Sequence, residues 1–151
     1  MHNLGDLFPE ELKEQVTKNS FKIGTVIKRF ETSTNPPKYK RSVVIGFDAE
    51  NVVFAHIFIN TQINPKLFPT QDLKDLHIEF DTAGRDYLSH SSFVDCSQIH
   101  EDNIEAVKAL IASDSSACLG EVSEQDLVHI LTTIKLAKTI SKNKKKKFGL
   151  L

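Results

Sequence analysis

Cysteine is scarce in this chain: Cys96 and Cys118 are the two in 151 residues. That is too few for a disulfide scaffold, and neither stands in a two-residue metal clip, so reduced thiols in a cytosolic protein are the plain expectation. Long apolar runs are missing, which argues against a membrane-spanning helix. The opening MHNLGDLFPEE has neither the basic start nor the apolar core of a secretory signal, so a cytoplasmic location is expected by default. A glycine-rich phosphate loop, a nucleophile elbow and internal repeats are also absent from the sequence.

Apolar residues make up 40% of the chain, enough at this length to bury one core without staples. The formal charge of −1 conceals a segregation. Residues 22 to 41 hold six basic and one acidic residue, residues 72 to 126 three basic and thirteen acidic, and residues 127 to 151 seven basic and none acidic. Such asymmetry suits one face to a polyanion and another to repelling it or binding a basic partner; the plainer alternative is solubility charge spread over the fold.

The stretch from Tyr39 to Asn64 organises the rest. Val43 to Phe47 and Val52 to Ile59 are dense runs of β-branched and aromatic residues, and Asp48-Ala49-Glu50-Asn51 between them supplies the polar residues of a hairpin loop. Neither run alternates cleanly, so the hairpin is expected at the centre of a barrel or between a sheet and a helix. Turn residues separate further short runs, predicting antiparallel strands near 21–30, 41–48, 51–60, 76–81 and 92–100. Glu31 to Lys38, with hydroxyls, Asn35, Pro36 and Pro37, reads as a long exposed connection and a candidate part of a site.

Helices are expected around this sheet. Residues 6–18 place Phe8, Leu12 and Val16 on one stripe behind Pro9. Asp102 can cap a helix carrying Ile104, Val107 and Ile111, and Ser123 with Asp126 starts one over 123–140 through Leu127, Ile130, Leu131, Ile134 and Ala137. The expected domain is 1–141; the lysine-rich 142–151 reads as a basic tail, disordered or frayed and available to nucleic acid. His90, Asp95, Cys96 and His100 share a short stretch. Alternation would put the two histidines and Cys96 on one side, but strand rise spreads them over about 13 to 20 Å, so neither a metal nor a cofactor is expected.

Lys40-Arg41-Ser42-Val43-Val44-Ile45, followed by a strand ending in Asn60-Thr61-Gln62, resembles the MazF/PemK toxins, which are small ribonucleases. Gly24-Thr25-Val26-Ile27 is similar to that family's first strand, Ser92 to Ile99 to a later strand, and Leu119-Gly120-Glu121-Val122-Ser123 to the entry of its closing helix; together these span most of 21–140. The resemblance implies a strongly bent, Src-homology-3-like antiparallel barrel with a C-terminal packing helix, a homodimer, and an antitoxin partner laid along the dimer groove. It implies metal-independent cleavage of single-stranded RNA by attack of the ribose 2′-hydroxyl. Arg41 would then stabilise the transferring phosphoryl group, with Asn60 or Thr61 at the family's hydroxyl position. Lys28, Arg29, Lys38 and Lys40 would contact RNA phosphates, with Phe30 or Tyr39 stacking on a base. Ser42 stands where the family has proline, and Asn60 where it has a hydroxyl residue. The competing expectation from these departures is a barrel of the same fold that binds RNA or a protein without cleaving.

Overall fold

A computed structural model describes residues 21–151, so the helix expected at 6–18 lies outside the described residues. The hairpin is central. Among the described residues seven strands, Thr25–Glu31 (β1), Lys38–Phe47 (β2), Val53–Asn60 (β3), His77–Phe80 (β4), Ser92–Asp95 (β5), His100–Asn103 (β6) and Cys118–Glu121 (β7), form one strongly curled sheet, a half-barrel. They run in the order β4-β5-β3-β2-β1-β7, with β6 also on β3, and every pairing is antiparallel. At the hairpin tip the Asp48 carboxylate accepts the Val52 and Val53 amides at 2.8 and 3.1 Å, and Asn51 takes the left-handed φ of 58° that asparagine tolerates.

The hairpin lacks clean alternation because both of its faces are covered. On one face Val26, Val43, Ile45, Ala55, Ile57 and Ile59 pack with helix Glu124–Leu136 and the chain end. On the other, Ile27, Val44 and Phe54 pack with Phe21 and with Ile104, Val107 and Ile111 of helix Ile104–Ser113. A bulge between Val44 and Gly46 shifts the register of β2 against β3. It lets Gly46 meet Phe148: a Cβ on Gly46 would lie 2.8 Å from the Phe148 carbonyl oxygen and 3.1 Å from its Cβ.

Four features differ from expectation. The strand expected over 92–100 is two, both on the outer edge of β3, because the Asp95 carboxylate takes the Ser97 amide (2.9 Å) and hydroxyl and turns the chain locally instead of continuing the ladder. Asp102 does not cap the following helix. Asn103 does, accepting from the Ala106 amide at 3.1 Å, while Asp102 on β6 turns to Arg29 and His56. β7, absent from the predicted strands, is four residues long and carries Gly120. With Gln71–Lys74 as α1 and Ile104–Ser113 as α2, the closing helix α3 starts where Ser123 receives the Asp126 amide and ends at Leu136, four residues short of the expected end.

The largest departure is the lysine run. Lys142–Lys147 is a helix (α4) capped by Ser141, not a disordered tail. Lys145 is buried, 7% exposed, and its ammonium donates to the Lys135 and Ala137 carbonyls at 2.9 and 2.7 Å, where α3 leaves acceptors open and its dipole is negative. Lys144 and Lys147 reach Glu101 at 3.2 and 2.6 Å, and Phe148 and Leu150 enter the core. The apolar residues at the very end, separated from the lysines by nothing, supply the burial that orders the run.

Candidate nucleic-acid interface

One end of the hairpin, where β2 begins and β3 finishes, is left uncovered by α2. There a cavity of about 820 Å³ is lined by residues of the β1–β2 connection, β2, β3, the 61–68 segment and the β5–β6 region. It draws together six of the eight residues singled out in the sequence: Lys38, Tyr39, Lys40, Arg41, Asn60 and Thr61. Thr34 also lines it, so the Glu31 to Lys38 connection does border the cavity. Lys28 and Arg29 are not in the lining.

Strand alternation sorts these side chains into two rows. Lys28, Arg41 and Ile59 are directly opposed across β1, β2 and β3, and Lys40 is opposed to Arg29. Lys40 and Arg41, being adjacent, therefore diverge. The Lys40 ammonium donates to Asn60 Oδ1 and lies 5.1 Å from the centre of the Phe58 ring. Burial, with Lys38 nearby, lowers the Lys40 pKa, and Asp95 partly opposes this. Arg41 has its Nε buried with no hydrogen-bond partner among the described residues. A buried guanidinium N–H without an acceptor is an incomplete arrangement that an anion oxygen would complete. Asn60 is thus coupled to Lys40 rather than to Arg41, although all three border one cavity.

The two cations outside the cavity are occupied differently. Lys28 sits 5.6 Å from the Tyr39 ring centre, and Tyr39 meets Phe30 edge to face at 5.3 Å, leaving both aromatics more than half exposed at the rim. Arg29 is committed to structure. It donates to Asp102 Oδ2 at 2.6 Å and lies 3.7 Å from Glu31. The same Asp102 oxygen is 2.6 Å from His56 Nε2, which must carry the proton there; the 3.3 Å approach of Arg29 Nη2 to that nitrogen is then proximity, not a bond. Burial alone would raise the Asp102 pKa, but the bonds from His56 and Arg29 outweigh it and hold it at about 2. This polar trio forms the border between the α2 core and the open end of the sheet.

Sequence reasoning considered His90, Asp95 and His100 only for metal binding and did not single out Phe58. All four line the cavity, whereas Cys96 is fully buried in the larger core, opposite to the side expected from simple alternation, because the strand breaks after Asp95. Among the described residues, no three of histidine, cysteine, aspartate and glutamate gather in a metal-holding group. His100 stacks on Phe58 with ring centres 3.9 Å apart, and burial followed by the neighbouring His56 depress its pKa to about 4. Asp95 is buried, bonded to Ser97, and 3.4 Å from His77 Nε2, while His77 Nδ1 donates to the Leu73 carbonyl at 3.0 Å. His56, Phe58 and Asn60, alternating with Ile57 and Ile59, were the available signal in the sequence: one strand face loses its apolar character toward its end.

No protein-family model and no curated protein matches the sequence. No helix among the described residues is long and apolar enough to cross a membrane.

Proposed function

We propose that the chain is a MazF/PemK-like, growth-inhibiting endoribonuclease that binds single-stranded RNA at the open end of the hairpin and cleaves it without a metal. In this reading the half-barrel is a strongly bent Src-homology-3-like barrel. The observation that carries the proposal is the meeting of Lys38, Lys40 and Arg41 with Asn60 and Thr61 in one cavity, beside Tyr39 and Phe58, with Arg41 Nε buried and unpaired among the described residues. Cations with aromatic rings fit a charged backbone with unstacked bases, and a planar guanidinium fits a phosphoryl group whose charge grows in the transition state. The 2′-hydroxyl attacks in line, leaving a cyclic phosphate and a 5′-hydroxyl. The same reading carries a homodimer and an antitoxin with an acidic or extended segment; light scattering at micromolar concentration tests the first.

The decisive experiment incubates the protein with structured and unstructured RNAs in EDTA. Cleavage is expected, lost in large part in a folded Arg41→Lys variant, because an ammonium keeps the charge without the fork. Asn60→Ala and Thr61→Ala separate the two candidates for the hydroxyl position. A second reading, a module of the same fold that binds without cleaving, is favoured by the commitment of Asn60 to Lys40. Binding with every RNA left intact would establish it.

A further inference from the structure

In-line cleavage of RNA needs two proton transfers on opposite sides of the phosphorus: one from the attacking 2′-hydroxyl, one to the departing 5′-oxygen. Two titratable side chains of the cavity flank a single ring. His100, on β6, stacks against Phe58 of β3 at 3.9 Å, and Lys40, on β2, places its ammonium 5.1 Å from the centre of the same ring. Because β2 and β6 lie on opposite edges of β3, the two approach Phe58 from opposite sides.

Resting on the reading of the groove as an RNA-cleaving site, the geometry points to His100 as the base that takes the 2′-hydroxyl proton and to Lys40 as the acid that protonates the leaving oxygen. The proton of O2′ passes to an imidazole nitrogen of His100 as O2′ bonds to phosphorus. The phosphorus–O5′ bond breaks, and O5′ receives a proton from the Lys40 ammonium. His100 then releases its proton to water and Lys40 regains one, so each turnover ends with both groups restored.

The surroundings suit these roles. His100 cannot swing freely, because Phe58 holds one side of its ring and His56, itself fixed by Asp102, has its ring centre 5.7 Å away. Four titratable or charged groups act on it: His56 and Lys144 disfavour its protonation, Asp95 and Asp102 favour it, and burial is the largest influence. The outcome is a neutral imidazole with a free lone pair at neutral pH. A bound phosphate adds negative charge and moves its titration toward neutrality, where a base is most effective. Lys40, partly desolvated and held by Asn60, is a stronger acid than a solvated lysine.

The test uses the full chain, an unstructured RNA, and the same oligonucleotide with 2′-deoxyribose throughout, which binds but cannot react. His100→Ala is expected to slow cleavage about 100-fold or more, hold affinity for the deoxy oligonucleotide within about twofold, and recover activity when imidazole is added to the buffer. His100→Gln, which keeps a planar polar group on Phe58, is expected to lose activity equally while remaining folded. The acid limb of kcat, reporting the bound complex, should lie at higher pH than that of kcat/KM. Wild-type rates in both variants, or a loss in His100→Ala that imidazole leaves unchanged while His100→Gln stays active, would overturn the assignment; Arg41-dependent cleavage would then leave the ribonuclease reading standing. RNA bound yet uncut by the wild type would overturn both.

Discussion

The molecule has two clusters of positive charge that look alike in the sequence and differ in what they are bonded to. In Lys142–Lys147 the Lys145 ammonium is buried against two carbonyls of the α3 end, and Lys144 and Lys147 are paired with Glu101. At the mouth of the cavity, Lys38 and Arg41 have no ion pair among the described residues, and Arg41 Nε is buried without a bond. The denser run is the structural one. Charge per residue therefore does not tell which cations are open to a phosphate, because a committed ammonium must lose its partner first.

The largest expected effect breaks the structural cluster. Phe148→Ala, or removal of 142–151, should cost on the order of 3 to 5 kcal/mol, because the ring is 4% exposed and the segment closes the larger core. Denaturant melts measure it; a truncated protein as stable as the full chain would return the run to the status of a tail. Gly46→Ala attacks the same contact from the sheet side. With backbone in the way of the new methyl, a loss of about 1 to 3 kcal/mol is expected in the same melts.

A pH series probes the border between the α2 core and the open cavity. His100 has its pKa lowered from 6.5 to about 4, so the unfolded chain binds the proton more readily, and stability should fall as pH drops from 6.5 toward 4. Asp102, lowered from 3.8 to about 2, contributes stability that is present above 3.8 and lost as pH falls toward 2. Asp102 is more than a third exposed, so after solvent screening its share is about 1 kcal/mol. His100→Gln should flatten the upper window and Asp102→Asn the lower; slopes unchanged in either variant would mean that other groups govern acid unfolding.

The smallest effect sharpens the contrast between the two clusters. Lys38→Ala should weaken RNA binding several-fold and reduce the slope of log affinity against log salt by about one, whereas Lys147→Ala, which removes an ammonium already paired with Glu101, should change neither. Equal losses in both would indicate binding by general charge.

Residue chemistry determined the hairpin, the antiparallel order of short strands and the start of α3, because these rest on local properties. β-branched runs need extended backbone, Asp48 and Asn51 make a turn with their own neighbours, and Ser123 caps amides three residues ahead. That Lys38 to Arg41 and Asn60-Thr61 stand as charged and polar residues at the ends of apolar strands was also legible, and the fold brings them to one cavity. What only the tertiary structure decided depends on partners distant in the chain. Lys145 is structural because α3 ends beside it, and Asp102 leaves its helix cap because Arg29 and His56 lie across the sheet. His100 joins the cavity while Cys96 enters the core because Asp95 and Ser97 break the strand between them. Period and propensity describe one segment at a time; which cation is neutralised, and which histidine faces open space, is set by the segment packed against it.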